Sequence, residues 1–396
     1  MSLSSQDLPT IEGMTVSEDD NIKRTYLNGK LHSFNDEPAI FDIENGKKYW
    51  FKNGKRHRDG DKPAIVVKTE IGPWDDPFDE ISLSWYQNGK LFRDGDKPAF
   101  VRIKKVFYDE GPIRIFSKQS FFYLDGKLGR VVDKPAEISV KFIYDKHGFV
   151  WEYERIENFY RNGELHRDGD KPAYIFMLKT YAQSMAYSTI SHYKSFYNEG
   201  KLHRDGDKPA VTQISLTFDS NGNKEPDSTR LNEYYREGKL HRDGDKPAIV
   251  KHNDIFSGDY EEVFYKNGNV HRINNKPAYY HISETNHTEA YMVNNLPHRE
   301  NGDPALFIED FLEQKIFYTF FITSESAKDS QEWDKSFLLK EVKNLDSSLT
   351  NEELEEYPLN QIKSIASSLK GMTYVYSIPL TYKNYLSRIG LSQYVY

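Results

Sequence analysis

Short segments with strand-like hydrophobic content, separated by turn-forming residues, run through most of this chain. Residues 136–145 and 149–160 flank one short turn, and residues 210–218 and 229–235 flank a longer polar one. Strands joined by such connections form hairpins. Aromatic residues make up 14% of the sequence and favour strands over disordered segments. The pattern therefore predicts a mainly β protein whose strands form an antiparallel meander.

One sequence unit, Tyr-x-Asn-Gly-Lys-Leu-His-Arg-Asp-Gly-Asp-Lys-Pro-Ala, recurs nine times and is here called the kernel. Its proline follows its turn glycine by nine residues in every copy, whereas successive copies are 25 to 38 residues apart. Each copy thus joins a fixed kernel to a variable excursion. Repeats of this kind contact their neighbours and stack. We expect an elongated, solenoid-like array of nine β-hairpin repeats. The turn positions are Gly29, Gly54, Gly89, Gly126, Gly163, Gly200, Gly238, Gly268 and Asn295.

The kernel itself reads as a hairpin followed by a second turn. An aromatic residue three positions before the glycine, such as Tyr160, precedes an Asn-Gly type turn in which both central residues need positive φ. Lys-Leu-His forms a short return strand, and Asp-Gly-Asp-Lys-Pro forms the second turn. Ala-x-Val then opens the next strand.

The two ends of the chain depart from the repeat. Residues 1–21 are predicted to be a polar tail, residues 22–309 the repeat domain, and residues 310–396 a cap with helices and a Tyr-rich tail. Within the cap, residues 326–329 resemble a capping box, and residues 359–370 predict a helix that stops at Gly371. Such a cap would cover the last open strand edge.

Composition excludes several classes of function. The net charge of −8 and the pI near 5.9 argue against a nucleic-acid partner, which requires a basic footprint. The absence of cysteine excludes disulfides and thiolate metal sites. The N-terminal segment has no apolar region typical of a secretion signal, and no apolar run is long enough to span a membrane.

The kernel motifs suggest chemistry that their context does not support. His-Arg-Asp resembles a kinase catalytic loop but occurs four times in the same turn, without a Gly-rich phosphate loop. We therefore predict that the chain is not an enzyme and has no catalytic residues and no cofactor. Asp-Gly-Asp lacks the full calcium loop. Arginine follows the histidine position in eight copies and can stack on the aromatic residue of a neighbouring kernel.

The histidine of the kernel is present in seven copies and could form a metal-binding ladder. We find no fixed carboxylate partner for it within two copies of the repeat, and expect each imidazole to be neutral and hydrogen-bonded to the turn of the next repeat, without metal. The seven residues are His32, His57, His166, His203, His241, His271 and His298.

Phe51-Lys52-Asn53-Gly54-Lys55-Arg56-His57-Arg58, followed by Pro63-Ala64, resembles repeats in proteins of large DNA viruses that infect protists. These repeats are similar to the membrane occupation and recognition nexus (MORN) class of β-hairpins. The resemblance covers about residues 24–309, and it implies scaffolding, virion structure, or binding of lipids or protein partners. It also implies that the chain is located in the cytoplasm or in the virion. The partners that it implies are capsid proteins or other virion proteins.

Our leading interpretation is a repeat scaffold that binds proteins, with specificity in the variable excursions and the cap. A peripheral lipid-binding adaptor, a toxin-neutralising binding protein and an enzyme with a site in the cap are the alternatives. Loops on a rigid scaffold usually carry recognition, and interface cores favour aromatic residues. The candidate partner-binding residues are Trp74, Trp333, Tyr374, Tyr376 and Tyr394.

Overall fold

The structure, a computed structural model, divides into two compact units near Leu202, with Phe218–Asn223 counted in the first. The two units are described separately. The residues that the structure describes are 12–19, 21–71, 78–108, 113–131, 133–181, 187–225, 228–253, 258–300, 303–319, 330–350, 354, 357–370 and 373–375.

The first unit consists of strands in chain order. They are β1 (Met14–Asp19), β2 (Ile22–Leu27), β3 (Lys30–Leu31), β4 (Ile40–Asp42), β5 (Lys47–Tyr49), β6 (Phe51–Lys52), β7 (Lys55–Arg56), β8 (Ile65–Ile71), β9 (Phe78–Ser84), β10 (Tyr86–Gln87), β11 (Lys90–Leu91), β12 (Phe100–Phe107), β13 (Ile113–Phe121), β14 (Tyr123–Leu124), β15 (Lys127–Leu128), β16 (Glu137–Tyr144), β17 (Val150–Asn158), β18 (Tyr160–Arg161), β19 (Glu164–Leu165), β20 (Tyr174–Tyr181), β21 (Tyr187–Ser195) and β22 (Tyr197–Asn198), with β23 (Lys201–Leu202) at the boundary.

The second unit contains strands and two helices. They are β24 (Val211–Asp219), whose end is counted in the first unit, β25 (Thr229–Glu233), β26 (Tyr235–Arg236), β27 (Lys239–Leu240), β28 (Ile249–Asn253), β29 (Tyr260–Val263), β30 (Tyr265–Lys266), β31 (Asn269–Val270), β32 (Tyr279–Ile282), β33 (Asn286–Ala290), β34 (Met292–Val293), β35 (Leu296–Pro297), β36 (Leu306–Asp310), β37 (Lys315–Thr319), α1 (Ser330–Leu345), α2 (Leu359–Lys370) and β38 (Thr373–Val375).

Two kinds of hairpin alternate along each unit. The longer strands pair antiparallel in chain order, β8 with β9, β9 with β12, and so on to β21 in the first unit. The same order runs from β24 to β37 in the second unit, and β38 adds one parallel pairing. The two-residue strands form the kernel hairpins, such as β18 with β19. The predicted mainly β fold of antiparallel hairpin repeats is confirmed.

The kernel turns have the backbone conformation that the sequence predicts. In the fifth copy the φ angles of Asn162 and Gly163 are 55° and 88°, so both central residues are left-handed, as a type I′ turn requires. Positive φ occurs at both central positions in all nine copies, including Asn294 and Asn295 of the last. This turn matches the twist of the flanking strands and fixes the register of each kernel hairpin.

Each copy contributes one small and one large residue to a narrow core. The kernel alanine is almost fully buried in every copy, as Ala173 illustrates. The residue four positions before the turn glycine is a buried aromatic in most copies, for example Phe159. Burial of a phenylalanine side chain contributes about 1.5–3 kcal/mol. The tyrosine three positions before the glycine, which the sequence singled out, is only partly buried at Tyr160 because strand neighbours point to opposite faces.

The predicted boundaries differ from the observed strands at both ends. Strand β1 begins at Met14, within the segment predicted to be a polar tail, and β36 and β37 extend the hairpin series beyond residue 309. Helix α2 occupies residues 359–370, as predicted. Phe337, Leu338 and Val342 of α1 and Ile362 of α2 pack on Ile316 of β37, which gives the second unit a separate helical core.

Candidate interaction surface

Successive kernels are joined first by backbone hydrogen bonds. The N–H of Gly163 donates to the carbonyl of Leu128 in the preceding copy at 3.0 Å, and Gly54 donates to Leu31 at 2.8 Å. The return strand of each kernel also bonds to its own core, since the N–H of His166 donates to the carbonyl of Phe159. These contacts place equivalent side chains of successive kernels next to one another.

Every described kernel arginine after the first copy holds several groups together, and Arg167 illustrates the arrangement. Its guanidinium lies 3.6 Å from the ring centre of Phe159, eight residues earlier, and donates to the carbonyl of Pro172 at 3.2 Å. It also donates to Asp133 of the preceding copy at 2.6 Å, and Lys171 binds the other oxygen of that carboxylate at 2.6 Å. The stacking partner thus belongs to the same kernel, which corrects the expected stacking on a neighbouring one.

The contact in which one aspartate accepts from the arginine and lysine of the next copy is called the inter-copy bridge. The hydrogen bonds from Arg167 and then from Lys171 lower the pKa of Asp133 to about 2. Asp96 and Asp207 have the same kind of partners and also a pKa of about 2. Among the described residues, such bridges join Asp36 to Arg58 and Lys62, Asp61 to Arg93 and Lys97, Asp96 to Arg130 and Lys134, Asp133 to Arg167 and Lys171, Asp207 to Arg242 and Lys246, and Asp245 to Arg272 and Lys276.

The kernel histidines use both ring nitrogens. Nδ1 of His166 accepts the backbone N–H of Glu199 in the next turn at 3.2 Å, which confirms the predicted bond to the next repeat. Because a backbone N–H only donates, the imidazole is neutral and carries its proton on Nε2. That nitrogen lies 3.0 Å from Asp168, two residues along the kernel. The expectation that the histidine has no fixed carboxylate partner is therefore wrong, since its partner lies in its own turn.

The same two contacts recur in other copies. The histidine accepts from the next turn at His32, His57, His203, His241 and His271 as well. The pairing with the aspartate two residues later recurs at His57, His203 and His241. Among the residues the structure describes, no group of three His, Asp or Glu side chains is arranged to hold a metal ion.

Shallow grooves lie between consecutive kernels. The groove between the sixth and seventh kernels has a volume of about 170 Å³, and its lining includes His203, Arg236, His241 and Asp243. The groove between the third and fourth kernels has a volume of about 240 Å³ and a largely apolar lining. The grooves therefore share a position but differ in chemistry.

A polar network joins the last hairpins to helix α2. His287 lies between Glu289 and Glu309, and these two carboxylates raise the pKa of its imidazole to about 9. Lys370, the last residue of α2, binds Glu309 at 2.9 Å. Lys370 therefore ties the end of the helix to Glu309 of β36, and His287 joins the same carboxylate to β33.

Most of the predicted partner-binding residues fall where little is described. Trp74, Tyr376 and Tyr394 lie outside the described residues. Trp333 lies within α1, and Tyr374 lies on β38 opposite Ile316 of β37. The structure thus places these two in the cap.

The longer hairpins present surface that sequence reasoning did not single out. All eight residues of β16 remain partly accessible, so neither face of this strand is fully covered. At the turn between β16 and β17, Phe149 is 73% exposed and Trp151 is 42% exposed. The signal was available in the sequence, because two large apolar residues follow the predicted turn at the start of residues 149–160.

Comparison with protein-family models, curated proteins and solved structures finds no match to this chain. Within the described residues, no helix combines the length and apolar character needed to cross a membrane.

Proposed function

We propose that this chain is a non-enzymatic repeat scaffold that binds other proteins through the positions at which its copies differ. The observation that carries this proposal is the use of the shared kernel side chains. Arginine, aspartate, lysine and histidine, which recur from copy to copy, are engaged in contacts within and between kernels. Side chains used in this way hold the repeats in place, and a surface that recurs unchanged from copy to copy gives a partner no means of choosing one position.

The excursions supply the variation that recognition needs. They differ in length, and the turn between β16 and β17 displays Phe149 and Trp151 to solvent. Aromatic side chains are enriched among the residues that dominate binding energy at interfaces. A rigid scaffold that displays such hairpin tips resembles other proteins in which loops carry recognition.

The resemblance to viral repeats extends the proposal to a virion-associated, MORN-like structural protein of a large DNA virus. An antibody to the chain, applied to purified virions and to the soluble fraction of infected cells, tests this extension. Recovery of the chain only in the soluble fraction contradicts virion association and leaves the scaffold proposal standing.

The scaffold proposal is tested by affinity purification with the full chain followed by mass spectrometry. Each protein recovered is then made separately, and its affinity is measured for the wild type, for Phe149→Ser/Trp151→Ser and for Arg161→Ala. Arg161 is a matched control, because it lies on a kernel surface and pairs only with exposed acidic side chains. We expect at least one partner to lose about tenfold in affinity with the double variant, which corresponds to about 1.4 kcal/mol, and to be indifferent to Arg161→Ala. Failure to recover any specific partner contradicts the proposal.

A further inference from the structure

Two consecutive kernels, the third and the fourth, lack the histidine that the other seven carry. At the positions where the sixth and seventh kernels carry His203, Arg236, His241 and Asp243, the third and fourth carry Phe92, Leu124, Gly129 and Val131. The inter-copy bridge between these kernels is retained, since Asp96 still binds Arg130 and Lys134. The differences in sequence therefore change the surface of the groove but keep the inter-copy bridge that joins the two kernels.

The result is a largely apolar groove, here called the notch, whose lining includes Phe92, Tyr123, Leu124 and Val131. Its lining also includes Arg93, Lys97 and Arg130, whose charges are paired with Asp61 and Asp96. Val131 is 82% exposed and Leu124 is 45% exposed. Exposed valine and leucine side chains that meet in one concavity are a feature of interaction sites. The notch holds about 240 Å³, which is below the roughly 300–1,000 Å³ typical of small-molecule sites. Its size suits a single inserted side chain.

One exposed carboxylate, adjacent in sequence to residues that line the notch, has no cationic partner among the described residues. Asp94 lies between Arg93 and Gly95, both of which line the notch, and it accepts a hydrogen bond from Gln87. The equivalent Asp168 is paired with both Arg161 and His166. In the third copy, glutamine and Phe92 occupy those two positions, so no positive side chain of the described residues pairs with Asp94.

We propose that the notch binds an extended segment of a partner protein that inserts one large apolar side chain and places a lysine or arginine beside it. This inference rests on the proposed scaffold function and names the chemistry of one of its partners. The apolar lining provides the anchor, and Asp94 provides the complement to the basic residue. The net charge of −8 also favours a basic partner. Because the other seven kernels keep histidine at the position of Phe92 and Gly129, the notch also gives the partner a single position along the repeats.

The test uses the full chain and a phage-displayed library of random dodecapeptides. Binders are selected on the wild type after removal of those that bind a variant with the polar groove restored, Phe92→His/Leu124→Arg/Val131→Asp. Each of these replacements introduces the residue found at the same position of another kernel. Synthetic copies of the selected peptides are then measured by fluorescence anisotropy.

We expect the selected peptides to share a large apolar residue next to lysine or arginine. Their affinity should fall at least about tenfold with the restored variant and about three- to fivefold with Asp94→Asn. Ile273→Asp is the matched control, because Ile273 is 56% exposed at the kernel position equivalent to Val131 but lies in a groove that keeps His241. This control should bind as the wild type does. If the restored variant does not fold, Val131→Asp alone serves, since it changes an exposed side chain.

Several outcomes overturn the proposal. They are a library that yields no binder, peptides without a basic residue, and peptides whose affinity is unchanged by the restored variant or by Val131→Asp. A wild-type dimer in sedimentation that the restored variant abolishes would assign the notch to a second copy of this chain. If the notch fails these tests while a partner that depends on Phe149 and Trp151 is found, this inference alone is rejected. Absence of any protein partner rejects the scaffold function itself.

Discussion

Replacing Arg167 by alanine removes the side chain that joins the most groups at one inter-copy contact. The variant loses the stack on Phe159, the hydrogen bond to the carbonyl of Pro172 and the charged contact with Asp133. Lys171 remains beside Asp133, so the carboxylate keeps one cation. The substitution therefore weakens the contact between the fourth and fifth kernels without leaving a buried charge unpaired.

The free energy that Arg167→Ala removes from this contact can be estimated from the separate interactions of the arginine. The Arg167 side chain is only 17% exposed, so its stack on Phe159 contributes about 1–2 kcal/mol. The bond to Pro172 contributes about 1 kcal/mol. Asp133 is 43% exposed, and water screens its bond to the arginine to a few tenths of a kcal/mol. The sum is about 2–3 kcal/mol, which corresponds to about a 30- to 150-fold change in a local opening equilibrium.

Hydrogen exchange measures this contact locally. The amide of Gly163 donates to Leu128 across the same pair of kernels, so its exchange reports their separation. We expect exchange at Gly163 to accelerate about 30- to 150-fold in Arg167→Ala. The control is Arg161→Ala in the same kernel, which removes only exposed ion pairs and should change exchange less than about fivefold. Equal effects of the two variants would refute the argument that stacking and the inter-copy bridge couple the kernels.

Three further predictions concern pH and metal. The pKa of Asp133 is about 2 in the folded chain and ~3.9 when unfolded, so the stability that such bridges contribute is complete above about pH 4 and is lost toward pH 2. The melting temperature should therefore decline across this pH range, and a flat profile contradicts the prediction. The pKa of His287 is about 9 when folded and ~6.5 when unfolded, so its contribution is complete below about pH 6.5 and is lost as the pH rises through 9. Exchange at the amides that pair β33 with β36, corrected for its intrinsic pH dependence, should therefore accelerate near pH 9 in the wild type but not in His287→Gln. A chelator should leave the melting temperature unchanged, because both nitrogens of histidines such as His166 already form hydrogen bonds; a fall restored by zinc contradicts this.

The local features of the fold could be predicted because they depend on neighbouring residues. Asn162-Gly163 specifies a turn with two positive φ angles, and the structure has them. The helix at residues 359–370 follows from a stop at Gly371. The choice of core aromatic could not be made in the same way. Phe159 and Tyr160 are adjacent, so alternation puts them on opposite faces but does not say which face is buried.

The contacts between copies required the three-dimensional structure. Asp133 and Arg167 are separated by a complete excursion, and the spacing between equivalent pairs varies with its length. The pairing of His166 with Asp168 was missed for a different reason, because carboxylate partners were sought in neighbouring copies rather than within the turn. The notch was missed because the sequence shows only that Phe92 and Gly129 replace histidine in two copies, and not that the side chains around them form a groove.

The residues that join successive copies are not the ones exposed to a partner, which explains how this sequence can vary without losing its fold. Stability in a repeat array comes from interactions between nearest neighbours, so each kernel contact must be satisfied locally. The inter-copy bridge meets that requirement with an aspartate from one turn and an arginine and lysine from the next, whatever the length of the excursion between them. The fourth kernel loses its histidine at Gly129 yet keeps Arg130 and its bridge to Asp96. Arginine and the bridge are thus the part of the kernel that holds the copies together. The histidine position is free to take other residues, and the third and fourth kernels use that freedom to form the notch.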